Sequence, residues 1–319
     1  MKEFELIKQF FTAQPVARKD VTLGIGDDCA LLSAGGDNLI AVTTDTLVAG
    51  VHFPVDTHPR AIGHKAVAVN LSDLAAMGAM PSWISVAITL PSVDESWLRE
   101  FSQGMFELTE YYNVQVIGGD TTQGPLSITI TAQGLVPEER VLRRDGAQNG
   151  DYVFVTNTVG DAGLALAAIN GQVDLAEQDR QKVMKKLDFP KPQVLVGQMI
   201  REFATAAIDV SDGLLADLTH LCKASTLGID LDADNIPMSE TLLTNLGKEQ
   251  AINMALTAGD DYQLIFTVPA TNKVGVETAM AHANVDYRCL GQLNPSQIIQ
   301  VFHNGEPFNV SQPGFEHFS

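Results

Sequence analysis

The chain has 319 residues, of which 45% are hydrophobic and 18% are charged. This balance is typical of a folded globular protein and excludes a disordered chain, and the length suffices for one large domain or two ordinary ones. The formal net charge of −19 repels nucleic-acid backbones, so we expect no nucleic acid partner. The same charge repels phosphate ligands, so a phosphate-binding site in this chain requires cations.

Cysteine usage and hydropathy indicate a soluble, cytoplasmic protein without a membrane partner. Cys29, Cys222 and Cys289 are widely spaced and form no CxxC motif, which is typical of a reduced protein without disulfides. The N-terminal sequence MKEFELIKQFF contains acidic residues and resembles an amphipathic helix more than a signal peptide. No uncharged apolar run reaches the ~20 residues of a membrane span.

Apolar periodicity and turn residues predict the elements of the first half in chain order. We predict a helix over 2–13, a glycine–aspartate turn over 24–28, a strand over 39–44 that ends at Asp45, a helix over 60–78, a strand over 83–90, a helix over 94–112 capped by Asp94, a short VQVI strand that leads to Gly118-Gly119-Asp120, and a strand over 126–136. The charged, turn-rich stretch 136–151 reads as a domain boundary.

The second half again mixes strands and helices. We predict strands over 152–156, 206–211, 261–268, 285–292 and 298–302, and helices over 161–170, 177–187, 192–204, 212–224, 239–257 and 271–283. The pattern predicts an α+β protein with two domains, 1–138 and 149–319, each large enough for its own core.

Acidic residues carry the main chemical signal, because most of them lie at predicted strand ends beside glycine or other small residues. They are Asp27, Asp28, Asp45, Asp120, Asp209, Asp260 and Asp261. Asp73 differs, since it falls inside an apolar helix. A buried carboxylate there is costly unless it is paired, and a bound cation is one such partner. Carboxylates without nearby histidine or cysteine ligands favour Mg²⁺ over zinc, and the EF-hand pattern of calcium loops is absent. Any one of these aspartates is also explained as a turn or cap residue.

Other chemical signals leave two interpretations open. The sequence contains no P-loop, no GxGxxG turn, no GxSxG elbow and no protein-kinase motif set. Arg143-Arg144 is either a solvated basic turn or a phosphate clamp that faces the acidic residues. His52 is either a packed histidine or part of a site, and Cys29 reads as a small core residue.

Six segments, taken together and in order, resemble the thiamine-monophosphate kinase family. They are GIGDDCALL, TTDTLVAGVHF, KAVAVNLSDLAAMGAMP, IGGDTT, IDVSDGLLADL and AGDDYQL, and the C-terminal GFEHF also resembles that family's ending. The resemblance implies an aminoimidazole ribonucleotide synthetase-like fold, with an N-terminal α+β domain that dimerises through its sheet and a C-terminal α/β domain. It also implies a homodimer that uses ATP and several Mg²⁺ ions to phosphorylate thiamine monophosphate to thiamine diphosphate.

The resemblance also assigns roles to residues. It implies Mg²⁺ ligation by Asp28, Thr44, Asp45, Asp73, Asp120, Asp209 and Asp212, ATP contacts by Thr43, Gly119, Arg144 and Ser211, and substrate contacts by His52, Asp260 and Phe315. No protein nucleophile is expected. Two positions depart from the family pattern: Asp260 stands where the family usually has Glu, and Gln123 stands where it often has Arg.

Two alternatives remain from the sequence. One is another ATP-dependent enzyme of the same fold group, such as a selenophosphate synthetase, a hydrogenase-maturation dehydratase or the purine synthetase. The first of these would require a reactive N-terminal Cys or selenocysteine and the second a C-terminal Cys, whereas the last cysteine here is Cys289. The other alternative is a non-catalytic Mg²⁺- or nucleotide-binding protein.

Overall fold

The computed structural model describes residues 19–33 and 35–310, and within them a first sheet contains six strands. These are β1 (Val21–Leu23), β2 (Ala30–Ser33), β3 (Asn38–Val48), β4 (Met80–Leu90), β5 (Gln115–Gln123) and β6 (Ser127–Pro137). Their order is β1-β2-β3-β6-β4-β5, and every pair is antiparallel except β4 with β5. Within the described part of the chain, β5 is therefore an edge strand, with no strand paired to one side of its backbone.

Strand β6 shows how the sheet separates its two faces. Ile128, Ile130 and Ala132 are fully buried, while the residues between them are half-buried. The buried face is covered by helix α1 (Pro59–Ala76), which packs against helix α2 (Glu95–Tyr111). On the opposite face, Thr hydroxyls of β3 and β6 pair across the strands at 3.0 Å and 2.8 Å.

A second sheet has seven strands in the order β13-β12-β9-β11-β7-β10-β8. They are β7 (Tyr152–Thr156), β8 (Ala206–Asp209), β9 (Gly228–Asp232), β10 (Leu264–Val268), β11 (Tyr287–Asn294), β12 (Ile299–His303) and β13 (Glu306–Pro307). The helices of this half are α3 (Asp161–Ile169), α4 (Glu177–Asp188), α5 (Val194–Ile200), α6 (Leu214–Ala224), α7 (Glu240–Leu246), α8 (Lys248–Thr257) and α9 (Lys273–Ala283).

Helix α1 joins the two halves. It contacts β3 and β6 of the first sheet, and it also contacts β8 and α5 of the second half. Of its 18 residues, 14 are buried, so it is a core helix without a solvent face. Small residues permit this packing, because a Cβ at Gly63 would overlap the Phe101 carbonyl of α2 and a Cβ at Gly197 of α5 would overlap the Ala75 carbonyl.

Most predicted elements of the described residues are confirmed, and the differences have local causes. β3 continues three residues past Asp45 because its pairing with β6 extends to Val48. β5 likewise runs through Asp120 to Gln123, paired with β4. Four strands were not predicted, namely β1, β2, β9 and β13. The single helix expected over 239–257 is two helices that meet at Gly247, whose φ of 75° interrupts the helix.

Two expectations lie outside the described residues: the helix over 2–13 and the aromatic tail with Phe315. Within the part of the chain that is described, no helix is both long and apolar enough to cross a membrane.

Candidate active site

Three carboxylates from separate elements converge between the two sheets. Asp28 lies in the turn before β2, Asp73 near the end of α1, and Asp209 at the end of β8. One carboxylate oxygen from each lies within 4.8 Å of those of the other two. We call these three residues the acidic trio. The structure therefore brings together residues that are separated by up to 181 positions in the chain.

Arg144 neutralises part of this charge. Its Nη2 and Nε donate to the two carboxylate oxygens of Asp28 at 2.6 Å and 3.2 Å. The backbone N–H groups of Arg144 and Asp28 both donate to the carboxylate of Asp27, at 3.0 Å and 2.9 Å. Arg144 is thus an internal partner of the acidic turn. Asp28 occupies Nε and Nη2, and among the described residues no partner takes the Nη1 donors, which leaves them for an outside ligand.

Two hydroxyl groups orient the other members of the trio. Thr43 Oγ1, from β3, donates to Asp73 Oδ2 at 2.5 Å. Ser72 Oγ, which is fully buried on α1, donates to Asp209 Oδ2 at 2.6 Å. The second bond connects α1 with the second sheet. Sequence reasoning missed Ser72, although its place directly before Asp73 was visible in NLSDL.

Asp45 and Asp212 border the trio. Asp45 lies on β3 and is partly buried, and its backbone N–H donates to the buried Asn70 side chain at 3.2 Å. Burial raises the pKa of Asp45 to about 6, with further contributions from the negative charges of Asp212 and Asp28. Asp212 is half-buried before α6. The two residues extend the acidic surface beyond the trio.

The trio is an electrostatically unfavourable group of charges. Burial is the largest cause that raises the pKa of Asp73 well above its usual range, followed by the charges of Asp45, Asp209 and Asp28. Burial and Asp28 likewise raise the pKa of Asp209. One arginine cannot balance this many carboxylates, so a bound cation would stabilise their ionised forms. The donor atoms are hard carboxylate oxygens, which suit Mg²⁺ or Ca²⁺ rather than a soft metal.

The loop before α6 is held by a carboxylate that sequence reasoning overlooked. Asp217 is buried, and its Oδ2 accepts hydrogen bonds from the backbone N–H groups of Ser211, Asp212 and Gly213 at 3.0, 3.1 and 3.1 Å. These are the N–H groups that a phosphate at a helix N-terminus would use. Ser211 therefore has its hydroxyl, not its N–H, to offer a ligand. The signal was an acidic residue in the first turn after Ser-Asp-Gly.

His52 and Asp260 lie together at a second polar group beside the trio. Lys65 Nζ of α1 lies 2.9 Å from Asp260 Oδ1 and donates to the backbone carbonyl of His52 at 3.4 Å. His52 Nδ1 accepts the N–H of Val48 at 3.0 Å, so the neutral ring carries its proton on Nε2. Sequence reasoning did not single out Lys65, because a lysine inside an Ala/Val helix gives no motif.

Gly119 and Asp120 lie apart from the trio, and both are exposed on the edge strand β5. The strand register places Asp45 level with Ile130, Val86 and then Gly119, which is three strands away. Three strand spacings are roughly 14 Å. Glycine is also needed at position 119 for packing, because a Cβ there would overlap the carbonyl of Val86. Thr44 is exposed on the face opposite α1, where it pairs with Thr131.

Family models match both halves of the chain. The model described as AIR synthase related protein, N-terminal domain, matches residues 26–136, and the model for the C-terminal domain of the same family matches residues 148–304. The chain is therefore built of two domains of this α+β type.

Curated relatives match over nearly the full length. The thiamine-monophosphate kinase of Escherichia coli (strain K12) is 45% identical over 319 residues, which cover 99% of this chain and 98% of the relative. The thiamine-monophosphate kinase of Haemophilus influenzae is 41% identical and covers 100% of this chain and 98% of its own length.

Solved structures agree with this result. A thiamine-monophosphate kinase from Stenotrophomonas maltophilia K279a superposes with a TM-score of 0.81 at 42% identity, covering 96% of this chain and 98% of that one. A structure of AaThiL complexed with AMPPCP and TMP superposes with a TM-score of 0.85 at 30% identity, covering 99% and 97%.

Proposed function

The chain belongs to the thiamine-monophosphate kinase family, and from that premise we propose that it transfers the γ-phosphoryl group of ATP to thiamine monophosphate. The products are thiamine diphosphate and ADP. The observation that carries the proposal is the acidic trio of Asp28, Asp73 and Asp209, whose ligand atoms lie within 4.8 Å of one another. The nucleotide analogue and TMP in the AaThiL complex support the same pair of substrates.

The proposed metal is Mg²⁺. The trio, with Asp45 and Asp212 beside it, offers hard oxygen donors in an environment that already disfavours uncompensated negative charge. When bound, Mg²⁺ supplies charge neutralisation for the polyphosphate and alignment of the reacting oxygens. The remaining residues assigned from the family pattern, including Thr44 and Asp120, stay part of this proposal.

The chain itself contributes binding and orientation in this proposal. The acceptor is a phosphate oxygen that is already anionic at neutral pH, so the transfer needs no protein nucleophile and no strong general base. The Nη1 donors of Arg144 and the hydroxyl of Ser211 are suited to phosphate oxygens of ATP, with Thr43 and Gly119 assigned beside them. His52, Asp260 and Phe315 are the proposed contacts to thiamine monophosphate. ATP as co-substrate supports a cytoplasmic location.

We also propose that the active form is a homodimer, with domains over 1–138 and 149–319. The sheet face opposite α1 carries exposed threonines, and the edge strand β5 is exposed along most of its length. Asp120 lies roughly 14 Å from Asp45 across its own sheet. If a second copy pairs near β5, Asp120 of one copy can lie close to the acidic trio of the other copy.

A coupled assay of ADP formation tests the activity. ADP formation should require both thiamine monophosphate and Mg²⁺. Replacement of Asp209 by Asn should lower turnover by at least about 100-fold, while the circular dichroism spectrum stays unchanged. Hydrolysis of ATP at the same rate without thiamine monophosphate would overturn the assignment.

Mixed dimers test the shared site. The Asp45→Asn and Asp120→Asn variants should each be inactive alone, and the two unfolded chains are mixed in equal amounts and refolded together. About a quarter of wild-type activity should return if the two residues act from different copies in a two-fold dimer. No return of activity, together with a confirmed mixed dimer, places both residues in one chain.

A further inference from the structure

A buried lysine lies where the proposed substrate pocket meets the core. Lys65 belongs to α1, and only 5% of its side chain is exposed, although its neighbours Ala66 and Val67 are wholly apolar and buried. A lysine in such a position is stable only with a charged or hydrogen-bonding partner. The structure supplies these partners from the two segments that carry His52 and Asp260.

The contacts fix one oxygen of Asp260 and leave the other available. Lys65 Nζ lies 2.9 Å from Asp260 Oδ1, and the hydroxyl of Tyr262 donates to the same atom at 2.9 Å. Among the described residues, no donor reaches Asp260 Oδ2. The Asp260 side chain is 24% exposed, whereas Lys65 is almost completely covered. The carboxylate is therefore held through Oδ1, and its partly exposed side chain keeps Oδ2 without a donor among the described residues.

The backbone strengthens this arrangement. Asp260 and Tyr262 adopt left-handed φ values of 68° and 50°. Their N–H groups donate to the carbonyls of Ser211 and Val210 at 2.9 Å and 2.8 Å, which ties the segment to the loop before α6. Non-glycine residues in this conformation cluster at functional sites when the surrounding structure holds them there. Burial, followed by the negative charge of Asp260, raises the pKa of Tyr262, so its hydroxyl remains a donor.

We propose that Lys65 is a positioning residue for substrate recognition, acting through Asp260. Lys65 and Tyr262 fix the rotamer of the Asp260 carboxylate, so that Oδ2 accepts a hydrogen bond from an amino group of the substrate. The inference rests on the proposed function for the identity of that substrate, whose aminopyrimidine carries such a group. Asp260 has a shorter side chain than the Glu usual in the family, and the Lys65 contact compensates by removing the freedom of the carboxylate.

A double-mutant cycle tests this role. The variants are Lys65→Met, Asp260→Asn and the double variant, and the measured quantities are KM for thiamine monophosphate, KM for ATP and kcat. Lys65→Met should raise KM for thiamine monophosphate about tenfold, the effect of one lost hydrogen bond to a charged group, and leave KM for ATP unchanged. In the Asp260→Asn background the same change should have less than a twofold effect.

The control variant is Lys182→Met, which removes a lysine from an ion pair with Asp179 on exposed α4, where the lysine side chain is 64% exposed. It should leave both KM values unchanged. Equal increases of both KM values in Lys65→Met, or an undiminished effect in the Asp260→Asn background, would overturn the positioning role. If Lys65→Met does not fold, the cycle is repeated with Lys65→Gln, which stays polar but cannot form the ion pair with Asp260, and the same two outcomes decide. Wild-type dependence of ADP formation on thiamine monophosphate tests the proposed function separately.

Discussion

Replacement of Asp45 by Asn should stabilise the metal-free protein at neutral pH, whereas most single substitutions destabilise a protein. The pKa of Asp45 is raised from 3.8 to about 6, mainly by burial and then by Asp212 and Asp28. A shift of about two pKa units corresponds to about 3 kcal/mol. Because the folded-state pKa is the higher one, the folded state holds its proton more tightly, and stability is lost as the pH rises from about 4 through about 6.

The assay is urea unfolding with EDTA between pH 4 and pH 8. The Asp45→Asn protein should exceed the wild type by about 3 kcal/mol at pH 7.5, and the difference should fall below about 1 kcal/mol near pH 4. Asp56→Asn serves as a matched control, because it removes the same charge from an exposed loop and should change stability by less than about 0.5 kcal/mol. Excess Mg²⁺ should then stabilise the wild type more than the Asp45→Asn protein.

Two outcomes would refute this reasoning. One is a metal-free Asp45→Asn protein that is less stable than the wild type at pH 7.5. The other is a stability difference that does not change with pH, which would mean that Asp45 is solvated and normal in the folded protein. Either result would remove Asp45 from the group of mutually repelling carboxylates around the trio.

Two further predictions concern the support of the site and of the core. Asp217→Ala leaves three backbone N–H groups without their acceptor and should cost about 3 kcal/mol in urea unfolding, with a larger loss of kcat than Asp217→Asn, which retains one acceptor oxygen. An intact kcat in Asp217→Ala would contradict a role for that loop. Gly104→Ala places a Cβ against the carbonyl of Arg60 and should lower stability by about 2 kcal/mol, whereas KM for both substrates should stay constant once the protein is folded.

Periodic segments were the most predictable part of the fold. The alternation in LSITITAQGLV predicted β6, and the alanine-rich run before Gly78 predicted α1 within two residues at its end. Strand ends were harder, because pairing partners decide where a strand stops. Asp45 shows this: Gly, Pro and Asn are absent around it, and only its register against Ile130 shows that β3 continues.

The candidate site was predictable as a list of acids and not as a geometry. Convergence of the acidic trio depends on how α1 packs between the sheets, which no local pattern encodes. Asp120 has the same glycine-flanked context as Asp28 and yet lies on an exposed edge. Lys65 and Asp217 were not predicted as site residues, because each acts through partners that are distant in the chain or belong to the backbone.

Helix α1 has a thermodynamic consequence for the whole chain. Since the helix is buried by both sheets, neither half can lose its structure without uncovering a largely apolar rod that the other half also needs. We therefore expect the two family modules to melt together as one cooperative unit, although each has a sheet of its own. Damage to either module is transmitted to the acidic trio through the helix that carries Asp73.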